Sequence, residues 1–194
     1  KSGAYDLHYT YSSKRWSTAF DFAAMKDGRV KRAEIPHSVP RPVQAFFFNT
    51  RQAPFDDPNV REAATLLFDF EWSNRNLFAD AYTRTVSWFP NSPYSADIPA
   101  SAEEQALLED FRKTLPADYF SADITPPVND GSGQIRNRMR EALALLKESG
   151  WQLQGNRLVN DAGKPLRFTV LNYHNPGIYR ILAPWFRNLK RLGI

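Results

Sequence analysis

Cysteine is absent from the 194 residues, which excludes disulfides and thiolate metal sites. The compartment stays open, because cysteine-free chains occur inside and outside the cell. Histidine is scarce: His8, His37 and His174 stand far apart with no H-E-x-x-H pair, so no histidine-built metal site can be read. No apolar run approaches the ~20 residues needed to span a bilayer. Gly131-Ser132-Gly133 lacks the Gly-Lys-Ser/Thr end of a phosphate loop, and there is no G-x-S-x-G elbow. The acidic pairs Glu103-Glu104 and Glu109-Asp110 read as the solvated side of a capped helix rather than as a general acid and base. No nucleophile is nominated, and the expectation is a chain with no enzymatic activity and no cofactor.

What is present is a core. Hydrophobic residues make up 42% and aromatic residues 14%, enough for one globular domain across residues 1–194. The 25 basic and 21 acidic residues leave a net charge of +4, and the basic pairs Lys14-Arg15, Lys31-Arg32 and Lys190-Arg191 are scattered. Without a basic run or an RNA-binding motif they read as solvated surface, so nucleic acid is not an expected partner.

The clearest stretch is residues 44–68, QAFFFNTRQAPFDDPNVREAATLLF. The run Ala45, Phe46, Phe47, Phe48 predicts a short buried strand with a polar tip at Asn49-Thr50-Arg51. Asp56 or Asp57 can cap a helix whose Pro58 needs no N–H, with Val60, Ala63, Ala64 and Leu67 at helical spacing. Strands are also expected at 5–11, 30–35 and 166–173, the second led out by Pro36, Pro40 and Pro42, which keep the chain extended. A second helix follows Glu71, supported by a Glu71/Arg75 pair. Ser101 to Glu104 is a capping box for a helix with Leu107, Leu108 and Phe111 inward. Ile135, Met139, Ala142, Leu143 and Leu146 form a stripe that Gly150 ends, and a hairpin turns at Gly155-Asn156. The last helix carries Ile178, Ile181, Leu182, Trp185, Phe186, Leu189 and Leu192 on one face. Interleaved strands and helices without a repeat predict an α/β fold, a mixed β-sheet flanked by helices.

The same residues carry a resemblance. FNT..APFDD..VREA with Asp69, then ALALLKESGW, Asp161 to Leu166 and the closing LKRLGI resemble, in order, the extracellular solute-binding proteins of bacterial ABC importers, in the peptide- and nickel-binding family. RTVSWFPNS and VNDGSG narrow the resemblance to the oligopeptide branch that includes the microcin C binding proteins. It implies part of one lobe of a two-lobed periplasmic binding protein (type II fold), truncated at both ends. Further implications are an oligopeptide ligand captured in the periplasm, and ABC permease subunits of the inner membrane as partners. Nickel, haem, a sugar or another small solute on the same scaffold stays open, as do a hydrolase with a dispersed site and a module that binds a protein through its aromatic loop.

Peptide capture that tolerates many sequences needs extended hydrogen-bonding groups and roomy aromatic and polar pockets. Ligands of open α/β sheets favour the carboxyl ends of strands. The candidates are therefore the tip Asn49, Thr50 and Arg51, the second tip Tyr173, His174 and Asn175, and the loop beginning at Arg84. In that loop Arg84 can meet a peptide carboxylate, Ser87 and Asn91 can bond its backbone, and Trp88 and Tyr94 offer aromatic faces. The alternative is local: the asparagines cap turns, and the aromatic residues plug the loop onto its own domain.

Overall fold

The computed structural model describes residues 3–96, 100–120, 125–173 and 175–194. Along the chain come α1 (Ser13–Thr18), α2 (Ala23–Lys26), α3 (Pro58–Leu66), α4 (Phe70–Phe78), α5 (Ala102–Leu108), α6 (Arg136–Glu148), the strands β1 (Gln152–Gln154) and β2 (Arg157–Val159), and α7 (Pro176–Leu192). The class is α/β, helices with a small sheet. The chain divides into two units, one made of Lys1–Lys31, Phe47–Tyr82 and Pro127–Ile194, the other of Arg32–Phe46 and Thr83–Pro126.

The first unit holds the core. Asp57 accepts a hydrogen bond from Asn59 N at 2.8 Å, Pro58 opens α3, and Val60, Ala63, Ala64 and Leu66 are buried along it. Ile135, Ala142 and Leu146 of the α6 region, Leu182, Trp185, Leu189 and Leu192 of α7, and Leu67, Leu158 and Leu166 complete the cluster. Two side chains of α7 reach the carbonyls that the end of α3 leaves without helical partners. Trp185 Nε1 donates to Ala64 O at 2.8 Å and Asn188 Nδ2 to Leu67 O at 3.0 Å, both buried. Gly193 ends α7 at φ +97°, and its carbonyl accepts from Leu158 N at 2.9 Å, so helix and hairpin are tied together.

Asp69 caps α4 through Trp72 N at 3.0 Å, while its other carboxylate oxygen is buried without a hydrogen-bond partner. Burial, more than any neighbouring charge, raises its pKa above the ordinary value. Arg180 Nη2 donates to Leu77 O at 3.1 Å, and the guanidinium of Arg187 lies 5.4 Å from the Trp72 ring, which fixes α7 against α4. The expected Glu71/Arg75 pair is replaced by contacts to the loop before α6. Glu71 accepts from Asn129 N at 3.0 Å, and Arg75 Nη1 reaches Gly131 O at 3.4 Å. A backbone that needs partners outcompetes an exposed ion pair, which is worth little. Gly133, at φ +77°, passes so close to Trp72 that a Cβ would stand 2.8 Å from the ring.

The hairpin forms as expected, with Leu153 opposite Leu158. The other predicted strands do not enter a ladder among the described residues. Residues 166–170 keep the strand's alternation, with Leu166, Phe168 and Val170 against the core and Arg167 and Thr169 exposed. The pattern is right, but a strand exists only where a second backbone lies alongside. At 5–11, Leu7, Tyr9 and Tyr11 are exposed where a strand was expected, and so is Phe47 where a buried strand was expected.

In the second unit the capping box closes as expected, Ser101 N donating to Glu104 Oε2 at 2.8 Å and Glu104 N to Ser101 Oγ at 3.2 Å. Leu107 and Phe111 share a stripe yet are exposed rather than inward, since α5 is two turns long and packs mainly on the 3-10 turn that follows it.

Candidate functional site

In the second unit, residues 84–96 form a loop whose short polar side chains hold it in shape. Ser87 is buried, and its Oγ accepts from Phe89 N at 3.1 Å and Ala96 N at 3.0 Å, drawing the two ends together. Asn91 sits at φ +57°, a conformation asparagine tolerates, and its Nδ2 donates to Val39 O at 2.7 Å and His37 O at 3.3 Å. Arg41 N donates to Pro90 O at 3.2 Å. The proline-spaced run 36–42 is thereby laid along the loop. Prolines hold this run extended, which leaves its carbonyls outward for Asn91 to collect. Ser92 Oγ donates to Phe89 O at 2.7 Å and accepts from Tyr94 N at 3.2 Å.

While these polar groups are engaged on backbone, the rings face out. Trp88 is 66% exposed, Phe89 60% and Tyr94 80%, and the Phe89 and Tyr94 rings meet edge to face at 6.4 Å. Pro40, Arg41, Phe89, Ser92, Pro93 and Tyr94 line a cleft of about 260 Å³. Arg84 is half-buried at the start of the loop.

The other candidates lie in the first unit. Asn49 Oδ1 accepts from Arg51 N at 3.3 Å and its carbonyl from Gln52 N at 3.2 Å, which makes it the head of a turn, with Thr50 and Arg51 exposed on it. Asn175 is the N-cap of α7, accepting from Gly177 N at 2.8 Å, while its Nδ2 donates to the hydroxyl of the exposed Tyr173 at 3.3 Å. His174 lies outside the described residues. The two tips belong to one core, because Phe48, Phe55, Phe168 and Trp185 form a row of rings with centroids 4.7, 4.8 and 5.9 Å apart.

The structure thus gathers Ser87, Trp88, Asn91 and Tyr94 on one loop and Tyr173 with Asn175 on one helix cap. Sequence reasoning missed His37, Pro40 and Arg41 as neighbours of that loop. The signal available was the proline spacing at 36, 40 and 42, which marks an extended run with unpaired backbone. Among the described residues no group of three acidic or histidine side chains is placed to hold a metal ion, and no helix is long and apolar enough to cross a membrane.

The family model described as bacterial extracellular solute-binding proteins, family 5 Middle, matches residues 1–194. A Sinorhizobium fredii protein, Uncharacterized protein y4wM, is 37% identical over 197 residues, covering 100% of this chain and 30% of the relative. From Agrobacterium fabrum, Probable peptide-binding protein YejA is 37% identical over 198 residues, 100% of this chain and 32% of the relative. Peptidoglycan-binding protein YepA of the same organism is 33% identical over 189 residues, 97% of this chain and 31% of the relative. The chain spans about a third of the length of the curated relatives it matches.

Proposed function

We propose, from the premise that this chain belongs to the bacterial extracellular solute-binding proteins of family 5, a binding rather than a catalytic family, that it is part of an oligopeptide receptor. The receptor works in the periplasm and hands its ligand to the permease of an ABC importer. Both units belong to one lobe of a two-lobed molecule that closes over the peptide, and closure is driven by contacts that form only when a ligand touches both lobes.

The observation that carries this reading is the 84–96 loop, where Ser87 and Asn91 are engaged in holding the backbone while Trp88, Phe89 and Tyr94 stay exposed. A rigid platform of rings offers contact area at little entropic cost and makes few demands on ligand sequence. Trp88 and Tyr94 are the stacking residues of this proposal, with Arg84, Arg51, Thr50, Tyr173 and His174 as further contacts. Ser87, Asn91, Asn49 and Asn175 position them. The name of the YejA relative supports a peptide ligand.

The test is native mass spectrometry of the full-length protein from its host, followed by denaturation and identification of what is released. A ladder of short peptides is the expected result. One metal or cofactor mass, or no peptide, would refute peptide capture. A second reading is favoured by the name of the YepA relative: the peptides come from peptidoglycan, in which case the released masses include amino-sugar-linked peptides.

A further inference from the structure

Basic side chains accumulate at one corner of the first unit. Between residues 152 and 194 the acidic side chain is Asp161 alone, against seven basic ones. Folding draws four of the seven together. Leu158 N donates to Gly193 O at 2.9 Å and Leu166 N to Leu158 O at 2.8 Å, so β2, the 165–167 segment and the end of α7 meet around Leu158. Val159 faces Pro165 in an antiparallel bridge, which puts Arg157 and Arg167 at the same end of the two segments. A Cβ on Gly193 would lie 3.1 Å from the Cα of Arg157, and Lys190 and Arg191 stand on the helical turn just before that glycine. All four basic side chains are exposed. Among the described residues none of the four is in an ion pair.

Water solvates each of these cations, so the feature to explain is their sum. The helix dipole accounts for Lys190 and Arg191, on the last turn of α7. It does not account for Arg157 and Arg167, which lie off the helix, nor for the exposed Arg187, four residues before Arg191 on the same side of α7, where like charges oppose helix formation. Cations that the fold does not use suit an anionic partner. For a member of an extracellular family that partner is an acidic protein or a lipid headgroup. Leu153 favours the lipid. It stands opposite the buried Leu158, next to the Gln154–Arg157 pair, and is 50% exposed. An apolar side chain beside cations matches the boundary where phosphate headgroups overlie acyl chains. We propose that this corner docks on anionic phospholipid, with Arg157, Arg167, Lys190 and Arg191 on the headgroup phosphates and Leu153 at the acyl boundary. Docking of this kind is independent of the ligand that the receptor carries.

The experiment is co-sedimentation of the full-length protein with vesicles of phosphatidylglycerol and of phosphatidylcholine, at about 0.01 M salt, where charges act over about 30 Å. Binding to phosphatidylglycerol alone is expected, and salt of about 1 M, which screens within about 3 Å, should abolish it. Replacing Arg157 and Arg167 together by glutamine should weaken binding about 25-fold, from about fivefold for each basic side chain at an anionic surface. Lys14→Gln with Arg15→Gln removes the same charge from the exposed side of α1 and should leave binding nearly unchanged. Equal weakening by the two double variants would assign the attraction to net charge and overturn the corner. Equal binding of the wild type to both lipids, or binding to neither, overturns the docking, and this comparison needs no variant to fold. Retention of the wild type on polyglutamate resin but not on phosphatidylglycerol would give the corner to an acidic protein and overturn lipid docking as well. The peptides released in the native experiment bear on none of these outcomes, so the two readings fail separately.

Discussion

Replacing Asn91 by glycine should loosen the aromatic loop without straining its backbone, and replacing it by alanine should do both. The Asn91 amide makes two hydrogen bonds to the 37–39 segment, at 2.7 and 3.3 Å. Both are exposed, so together they contribute about 1 kcal/mol rather than the sum of two buried bonds. Glycine keeps the left-handed φ of +57° at no steric cost. Alanine adds about 1 kcal/mol, because its Cβ crowds the carbonyl in that conformation. The reporter is hydrogen exchange at Arg41 N, which donates to Pro90 O at 3.2 Å only while the two segments lie together. If exchange proceeds by local opening, losses of 1 and 2 kcal/mol accelerate it by factors of about 5 and 30. Exchange mass spectrometry of the full-length protein, read on a peptide covering residues 37–44, gives both values. Unchanged exchange in Asn91→Gly would refute the clamp, and equal acceleration in the two variants would refute the strain argument.

Asn188→Ala should destabilise the first unit by about 1–3 kcal/mol in denaturant titration, since Leu67 O loses its buried donor; an unshifted midpoint would refute the hook. Asp69→Asn keeps an oxygen for the Trp72 N–H and removes a buried charge, so it should not destabilise at neutral pH, whereas Asp69→Ala loses the cap and costs about 1 kcal/mol. Burial raises the Asp69 pKa in the folded protein, so the native state holds the proton more tightly than the unfolded chain does. Stability of the wild type relative to Asp69→Asn should therefore be greatest below the ordinary carboxylate range and fall as pH rises through the raised value. Denaturation midpoints at pH 7 and pH 4 measure this, and a gap that widens on acidification would refute it.

Local chemistry was legible and distant chemistry was not. Asp57, Pro58 and the stripe Val60, Ala63, Ala64 specify α3 within a few residues, and the Ser101/Glu104 box closes over three. The hydrogen bonds that close the core, from Trp185 and Asn188 to α3, span 121 residues, and no periodicity announces them. Segment 166–173 shows a limit of another kind. It was expected as a strand, and Leu166, Phe168 and Val170 do pack on the core, but the ladder depends on another backbone, which a pattern within one segment cannot supply. The Glu71/Arg75 reading erred in energy: helical spacing permits the pair, while the 129–131 backbone offers both side chains a better partner. At the candidate loop Asn91 joins His37 across 54 positions, so the cleft it creates was invisible.

The roles exchanged within the loop bear on selectivity. Ring faces reward any apolar side chain roughly in proportion to the area it covers, so on the proposed reading Phe89 and Tyr94 would rank ligands gradually. Directional donors behave otherwise, since an acceptor that is missing leaves them unmatched and the loss is abrupt. Had Ser87 and Asn91 faced the ligand, the loop would have read backbone positions and imposed a register on the peptide. With both engaged on backbone within the unit, what it offers is ring faces, a surface that on the proposed reading tolerates peptides whose side chains differ.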